Sequence, residues 1–192
     1  GPIVRAAVVT AIVFIYGRRE KVKVKLHDLA WRIYARIEGM VERGEASWAS
    51  LGQAEREEME QAVAMLTEAA AQGHAGAQFN LALIYHEGQG GARDVDRAIE
   101  LYTQAGQQGI AIAFSNLGIL LKNERQDADG AEKAFRAAIK ADPGCANAHY
   151  TLGRLLQNER QAVDGAEKAY RAAIEADPED AGAHYNLGIL LK

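Results

Sequence analysis

The residues able to do chemistry in this chain are few and poorly grouped. Five histidines occur, His27, His74, His86, His149 and His184, together with a single cysteine, Cys145. A thiol nucleophile needs a base within reach, and a zinc site needs clustered His and Cys ligands. No CxxC, HExxH or P-loop spacing is present, and the lone cysteine excludes an intrachain disulfide. His149 and His184 occupy equivalent positions 35 residues apart, which marks them as structural members of a helix packing layer. The run Gly88-Gln89-Gly90-Gly91 could suggest phosphate binding. No strand pattern precedes it and no Lys-Ser/Thr pair follows, so it is a turn. Carboxylates and cations alternate at helical spacing, as in Glu167–Arg171 and Arg171–Glu175, which makes solvated ion pairs rather than an acid/base dyad. No catalytic residue, metal or cofactor is therefore expected.

Composition narrows the class further. With 22 Lys and Arg against 26 Asp and Glu, the formal charge is −4, and the basic face of a nucleic-acid binder is not expected. The second half is rich in alanine, the residue that costs least in a helix interior.

The elements that position these residues come from a repeat. Leu117-Gly118, Leu152-Gly153 and Leu187-Gly188 recur every 35 residues, and 25 of the 35 positions in 117–151 are identical in 152–186. Each copy reads as two helices. In the second, helix A covers about Ala146 to Asn158, with Ala148, Leu152, Leu155 and Leu156 on one face. Gly153 admits a close neighbour. Asp164 is the expected N-cap of helix B, about Gly165 to Ala176, whose packing face is Ala166, Ala169, Tyr170, Ala173 and Ile174. Asp177-Pro178 ends it. One such pair cannot bury its own apolar face, so neighbours must stack.

This pattern resembles the tetratricopeptide repeat. The matching residues are Leu152, Gly153, Ala166, Tyr170, Ala173 and Pro178, and in the preceding copy Leu117, Gly118, Ala131, Phe135, Ala138 and Pro143. One extra residue lies in the A–B turn. Upstream, residues 61–109 are similar to the Sel-like repeat, with AAAQG and QAGQQG at helix ends, AQFNLALIY in helix A, and the Gly-rich turn before Asp94. The resemblance implies an all-α fold, a superhelical solenoid of antiparallel helix pairs over 28–192. Its expected parts are a degenerate first pair (28–72), a Sel-like unit (75–109), two tetratricopeptide units (111–145 and 146–180) and a further helix A (181–192). Residues 28–43 form the first helix, capped by Asp28 with Leu29, Ile33, Ile37 and Val41 on one face. A second helix covers about Gln53 to Gln72, and Trp48 of the 44–52 loop tucks against a helix.

Residues 1–27 stand apart. The apolar run 3–16 is followed by Arg18, Arg19, Lys21, Lys23 and Lys25. Its 14 residues fall short of the roughly 20 that a spanning helix needs. Three readings stay open: the end of a membrane span with a basic cytoplasmic flank, a β-hairpin in which KVKVKL alternates, or one long helix running into the next segment. Gly1-Pro2 resembles the remnant of a cleaved tag, and the chain stops at Lys192 inside a helical pattern, so flanking sequence is expected. The expected location is the cytoplasm or the cytoplasmic face of a membrane.

The resemblance also implies a function. Such arrays bind other proteins or peptides on the concave face lined by A helices. Carried over position by position, that face contains Asn80, Leu83 and Ile84, then Ser115, Asn116, Ile119, Lys122 and Asn123, then Asn147, Tyr150, Thr151, Arg154, Gln157 and Asn158, and finally Tyr185, Asn186 and Ile189. Asn80, Asn116, Thr151 and Asn186 share the position before each apolar-Gly pair, where an asparagine ladder would hold a peptide backbone through its amide donor and acceptor. Lys122 and Arg154 add positive charge suited to an acidic peptide. The lysines of a full two-carboxylate clamp are absent, their positions being Ser115, Tyr150 and Tyr185. The expected role is an interaction scaffold. The alternatives are a membrane-anchored assembly subunit, and self-association through the unpaired C-terminal helix.

Overall fold

The computed structural model describes residues 20–89, 91 and 93–192. Among them are nine α-helices and no strand. They are α1 (Glu20–Glu42), α2 (Gln53–Ala71), α3 (Ala75–Glu87), α4 (Val95–Gln107), α5 (Ala111–Arg125), α6 (Ala128–Ala141), α7 (Ala146–Asn158), α8 (Val163–Ala176) and α9 (Ala181–Leu190). The chain divides into two compact units, Gly1–Leu101 and Tyr102–Lys192.

In the first unit, α1 packs on α2 and α2 on α3. The helix α1 is longer than the sequence pattern suggested. It runs without a break from Glu20 through KVKVKL, so the alternation there is not that of a strand, and Asp28 is mid-helix rather than a cap. The apolar run 3–16 lies outside the described residues. The buried face of α1 is also rotated from the expected one. Leu26, Ala30, Tyr34 and Ile37 are buried, at spacings of four and three, while Leu29 is exposed. A small residue, Ala30, sits at the centre of this face. It lets α1 approach its neighbours more closely than a Leu29-centred face would.

Tyr34 organises this unit. Its ring stacks on Trp31 at 4.9 Å and Trp48 at 5.9 Å, so the 44–52 loop is tied down by Trp48 as expected. The Tyr34 hydroxyl lies within hydrogen-bond reach of Glu38, at 3.0 Å, and of Gln89, a contact that anchors the turn after α3. Burial, with Glu38 adding to it, pushes the Tyr34 phenol well above its ordinary range. That turn begins at Gly88, whose φ of 70° is the left-handed conformation favoured at a helix C-terminus.

The second unit shows the repeat in three dimensions. Helices α5 and α6 form one antiparallel pair and α7 and α8 the next, with α9 on α8 and α7. A Cβ built at Gly118 would lie 2.5 Å from Phe135 Cε1, and one at Gly153 would lie 2.7 Å from Tyr170 Cδ1. The aromatic of helix B therefore seats directly on the bare backbone of helix A in both pairs. Ala131, Ala138, Ala166 and Ala173 are wholly buried around these rings, as the small residues of the pattern require. Burial pushes the Tyr170 phenol up to about 12, Tyr150 reinforcing and Arg154 opposing the shift. The Tyr170 hydroxyl donates to Gln157 at 2.7 Å.

The two nearly identical copies differ at one cap. Asp127 precedes α6 with φ −93° and ψ 84° and accepts from the Gly130 N–H at 2.8 Å. Its equivalent is Ala162, which precedes α8 with φ −91° and ψ 77° and no side-chain cap. Asp164, expected to cap α8, lies inside its first turn. Ala162→Asp should restore the missing acceptor in a backbone already shaped for it. The expected gain is about 1 kcal/mol, read as a higher midpoint in urea unfolding. An unchanged midpoint would show that the cap geometry is not reproduced.

Candidate functional site

The predicted site residues fall into both units, and each unit positions its own differently. In the first, Asn80 is 7% exposed, on the buried face of α3. Its amide hydrogen-bonds to His27 Nε2 at 2.9 Å, which ties α3 to α1. The His27 ring lies 4.6 Å from that of His74, whose Nδ1 accepts from the Ala77 N–H and caps α3. These two histidines hold helix ends and helix contacts. Ile84 is buried and Leu83 partly so.

In the second unit the remaining residues come from α5, α7 and α9, with α5 packed beside α7 and α7 beside α9. Repeat spacing aligns equivalent residues side by side on these three helices. Ser115 is the exception, being wholly buried with its Oγ 3.8 Å from Cys145 Sγ. The resemblance puts Ser115 on the concave face, at the position that Tyr150 and Tyr185 hold in the following copies. The one-atom hydroxyl instead fits beneath the neighbouring turn.

Four predicted residues do converge. Ile119 and Lys122 of α5 and Thr151 and Arg154 of α7 line one cavity of about 170 Å³, with Asn123 beside them and Phe135 contributing a wall. Lys122 also borders an adjoining cavity of about 350 Å³ with Gln126, Ala128 and Glu159, and its Nζ is 3.7 Å from a Glu159 carboxylate oxygen. The Arg154 guanidinium lies over the Tyr150 ring at 5.8 Å from its centroid, a cation–π contact that orients it without neutralising it. Two cations from neighbouring helices thus border one partly apolar recess, an arrangement suited to a carboxylate with a short aliphatic stem.

The ladder positions are less uniform than their sequence. Asn116 is half-buried. Thr151 donates to the Asn147 carbonyl of its own helix at 2.7 Å, a local bond that occupies its only proton. Asn186 donates to the Tyr150 hydroxyl at 3.3 Å, linking α9 to α7. Asn158 is exposed at the last turn of α7, and Tyr185 is exposed on α9. His149 and His184 are structural but sit at the turns rather than in a packing layer. Each ring nitrogen bonds a proline carbonyl, Pro143 at 2.8 Å and Pro178 at 3.0 Å, and so clasps the inter-repeat turn to the following helix. The repeated spacing of proline and histidine, six residues apart, could have revealed this clasp.

Among the described residues no group of three or more His, Cys, Asp or Glu could hold a metal ion. No described helix is long and apolar enough to cross a membrane.

Comparison with known families places residues 38–74 and 75–110 on the Sel1 repeat and residues 119–164 and 150–191 on the tetratricopeptide repeat. Among solved structures, a Sel1 repeat protein from Oxalobacter formigenes is 26% identical, with a TM-score of 0.59, over 68% of this chain and 53% of that one. A protective antigen from uropathogenic Escherichia coli strains, displaying an SLR fold, is 26% identical with a TM-score of 0.65, over 88% of this chain and 33% of that one. YrrB, a tetratricopeptide protein with an unusual peptide-binding site, is similar in fold, with a TM-score of 0.52 at 24% identity, over 68% of this chain and 66% of that one. The chain spans about half the length of the first of these and a third of the second. No curated protein matches it.

Proposed function

Since the chain belongs to the Sel1-repeat and tetratricopeptide-repeat proteins, whose repeats serve protein–protein interaction, we propose that it is a non-catalytic scaffold that holds a partner polypeptide on the A-helix surface of its second unit. An acidic side chain of the partner seats between Lys122 and Arg154. The observation that carries this reading is the convergence of those two cations on one recess walled by Ile119 and Phe135. The carboxylate would meet two donors, and its methylenes would meet apolar wall. Glu159, already 3.7 Å from Lys122, illustrates the preference of that amine for a carboxylate.

The test uses labelled peptides of equal length, one acidic, one neutral and one basic, titrated against the whole chain by fluorescence polarisation. The acidic peptide should bind best, and its affinity should fall as salt rises. Lys122→Ala with Arg154→Ala should weaken it by about 10- to 100-fold, the value of losing charge-assisted hydrogen bonds. Arg154 is exposed and Lys122 only partly buried, so the helical content should not change. Equal affinity for all three peptides would sink the assignment.

A further inference from the structure

The recess between α5 and α7 has a neighbour, and one side chain serves both. Lys122 borders the recess of about 170 Å³ with Thr151 and Arg154, and it also borders the cavity of about 350 Å³ with Gln126, Ala128 and Glu159. Its Nζ is 3.7 Å from a Glu159 carboxylate oxygen, longer than the roughly 2.7–2.9 Å of a charge-assisted hydrogen bond. The pair is therefore loose, and the Glu159 side chain is 46% exposed. Arg160, the next residue, is engaged by Asp129 and, at 3.7 Å, by Glu132. Lys122 is thus the cation that balances Glu159, and it stands at the mouth of both cavities.

A shared lysine couples the two cavities. A carboxylate seated in the recess draws the Lys122 amine towards Arg154, because two charged donors hold it better than one. Glu159 then faces the second cavity without its cation, which opposes binding unless another cation takes that place. We propose, resting on the recess reading above, that the second cavity takes a basic side chain of the same partner. Helix geometry sets the spacing. Glu159 directly follows α7 with helical backbone, five residues after Arg154, a rise of about 7.5 Å. Two residues of an extended chain cover roughly 7 Å and bring their side chains to one face. The recognised segment is therefore an extended one with an acidic and a basic residue two positions apart. Its carboxylate lies between Lys122 and Arg154, and its cation lies on Glu159. A purely acidic segment displaces Lys122 from Glu159 and gives nothing back, while a purely basic one meets Lys122 and Arg154. Glu159 is in this way a specificity-determining residue, opposing the first and favouring the mixed segment.

Labelled peptides of equal length, differing only in a central Glu-Ser-Gln, Glu-Ser-Lys or Lys-Ser-Glu, are titrated against the whole chain by fluorescence anisotropy. One of the two mixed peptides should bind about threefold or more tightly than Glu-Ser-Gln, the value of a partly exposed ion pair. Glu159→Gln should abolish that preference. It should also tighten Glu-Ser-Gln by a similar factor, because Lys122 is released to the recess. Glu179→Gln, which removes the same charge from an exposed turn, should change neither affinity. The variant side chains are exposed, so helical content should stay the same. Equal binding of all three peptides overturns the proposal, as does a Glu159→Gln protein that binds Glu-Ser-Gln more weakly. If Glu-Ser-Gln still binds in a manner lost with Lys122→Ala and Arg154→Ala, that outcome leaves the recess reading standing. If Glu-Ser-Gln binds no better than Gln-Ser-Gln, the recess reading falls and this proposal falls with it.

Discussion

Phe135→Ala is expected to destabilise the second unit by about 3–5 kcal/mol, the usual cost of emptying an aromatic site in a well-packed core. The ring is 1% exposed and rests on the bare backbone of Gly118. The Gly118 backbone cannot move in to fill the gap without breaking the α5 hydrogen bonds, so the cavity should persist. Urea unfolding followed by far-UV circular dichroism reads the loss as an earlier transition. The contact has a second handle. Gly118→Ala would bring a methyl within 2.5 Å of the Phe135 ring, so by itself it should also destabilise. Combined with Phe135→Leu, which withdraws the ring, it should cost less than the two single changes added together. Strict additivity in that cycle would mean that the glycine and the ring do not share a contact.

Tyr34→Ala is expected to have a comparable effect on the first unit, again about 3–5 kcal/mol. The substitution removes a buried ring stacked on Trp31 and Trp48, and it also frees the turn that Gln89 anchors. Tryptophan fluorescence is the suitable probe, because the two tryptophans of the chain are those that touch Tyr34. The emission should shift to the red in the folded variant as Trp48 gains water. Tyr34→Phe separates the contributions by keeping the stack while losing the hydroxyl bonds. It should fall between the two. Above pH 10 the wild type carries an additional liability. A phenol whose folded pKa is raised contributes stability that is complete below the unfolded value of about 10 and is lost as pH climbs through the folded one. Tyr34→Phe should therefore flatten the alkaline loss of stability.

The helical repeat was readable because its evidence is redundant. The 35-residue identity, the Leu-Gly pairs and the alanine stripes all specify the same helix pairs, and α7 matches its expected bounds residue for residue. The first helix was less readable for a physical reason. KVKVKL alternates like a strand, yet every second residue of a helix also cycles round its surface, and six residues are too few to separate the two periods. Leu26, Ala30, Tyr34 and Ile37 settle the matter only when the whole length is taken together. The candidate site divides in the same way. Lys122 and Arg154 were placed together because repeat spacing aligns neighbouring helices. The fates of Asn80 and Ser115 depend on which side chain lies opposite, His27 and Cys145 in turn, while Thr151 turns back to the Asn147 carbonyl of its own helix. Nothing in a residue's own repeat position encodes its opposite number.

The near-identity of the two pairs has a kinetic side. Because Phe135 on Gly118 and Tyr170 on Gly153 are the same contact twice, α8 offers α5 nearly the same stripe that α6 does. A refolding chain can therefore close the wrong pair, looping out α6 and α7, before finding the right one. Misassembly between like repeats is a characteristic trap of such arrays. The two-residue turn from α5 to α6 favours the correct partner, because looping out two helices costs more closure entropy.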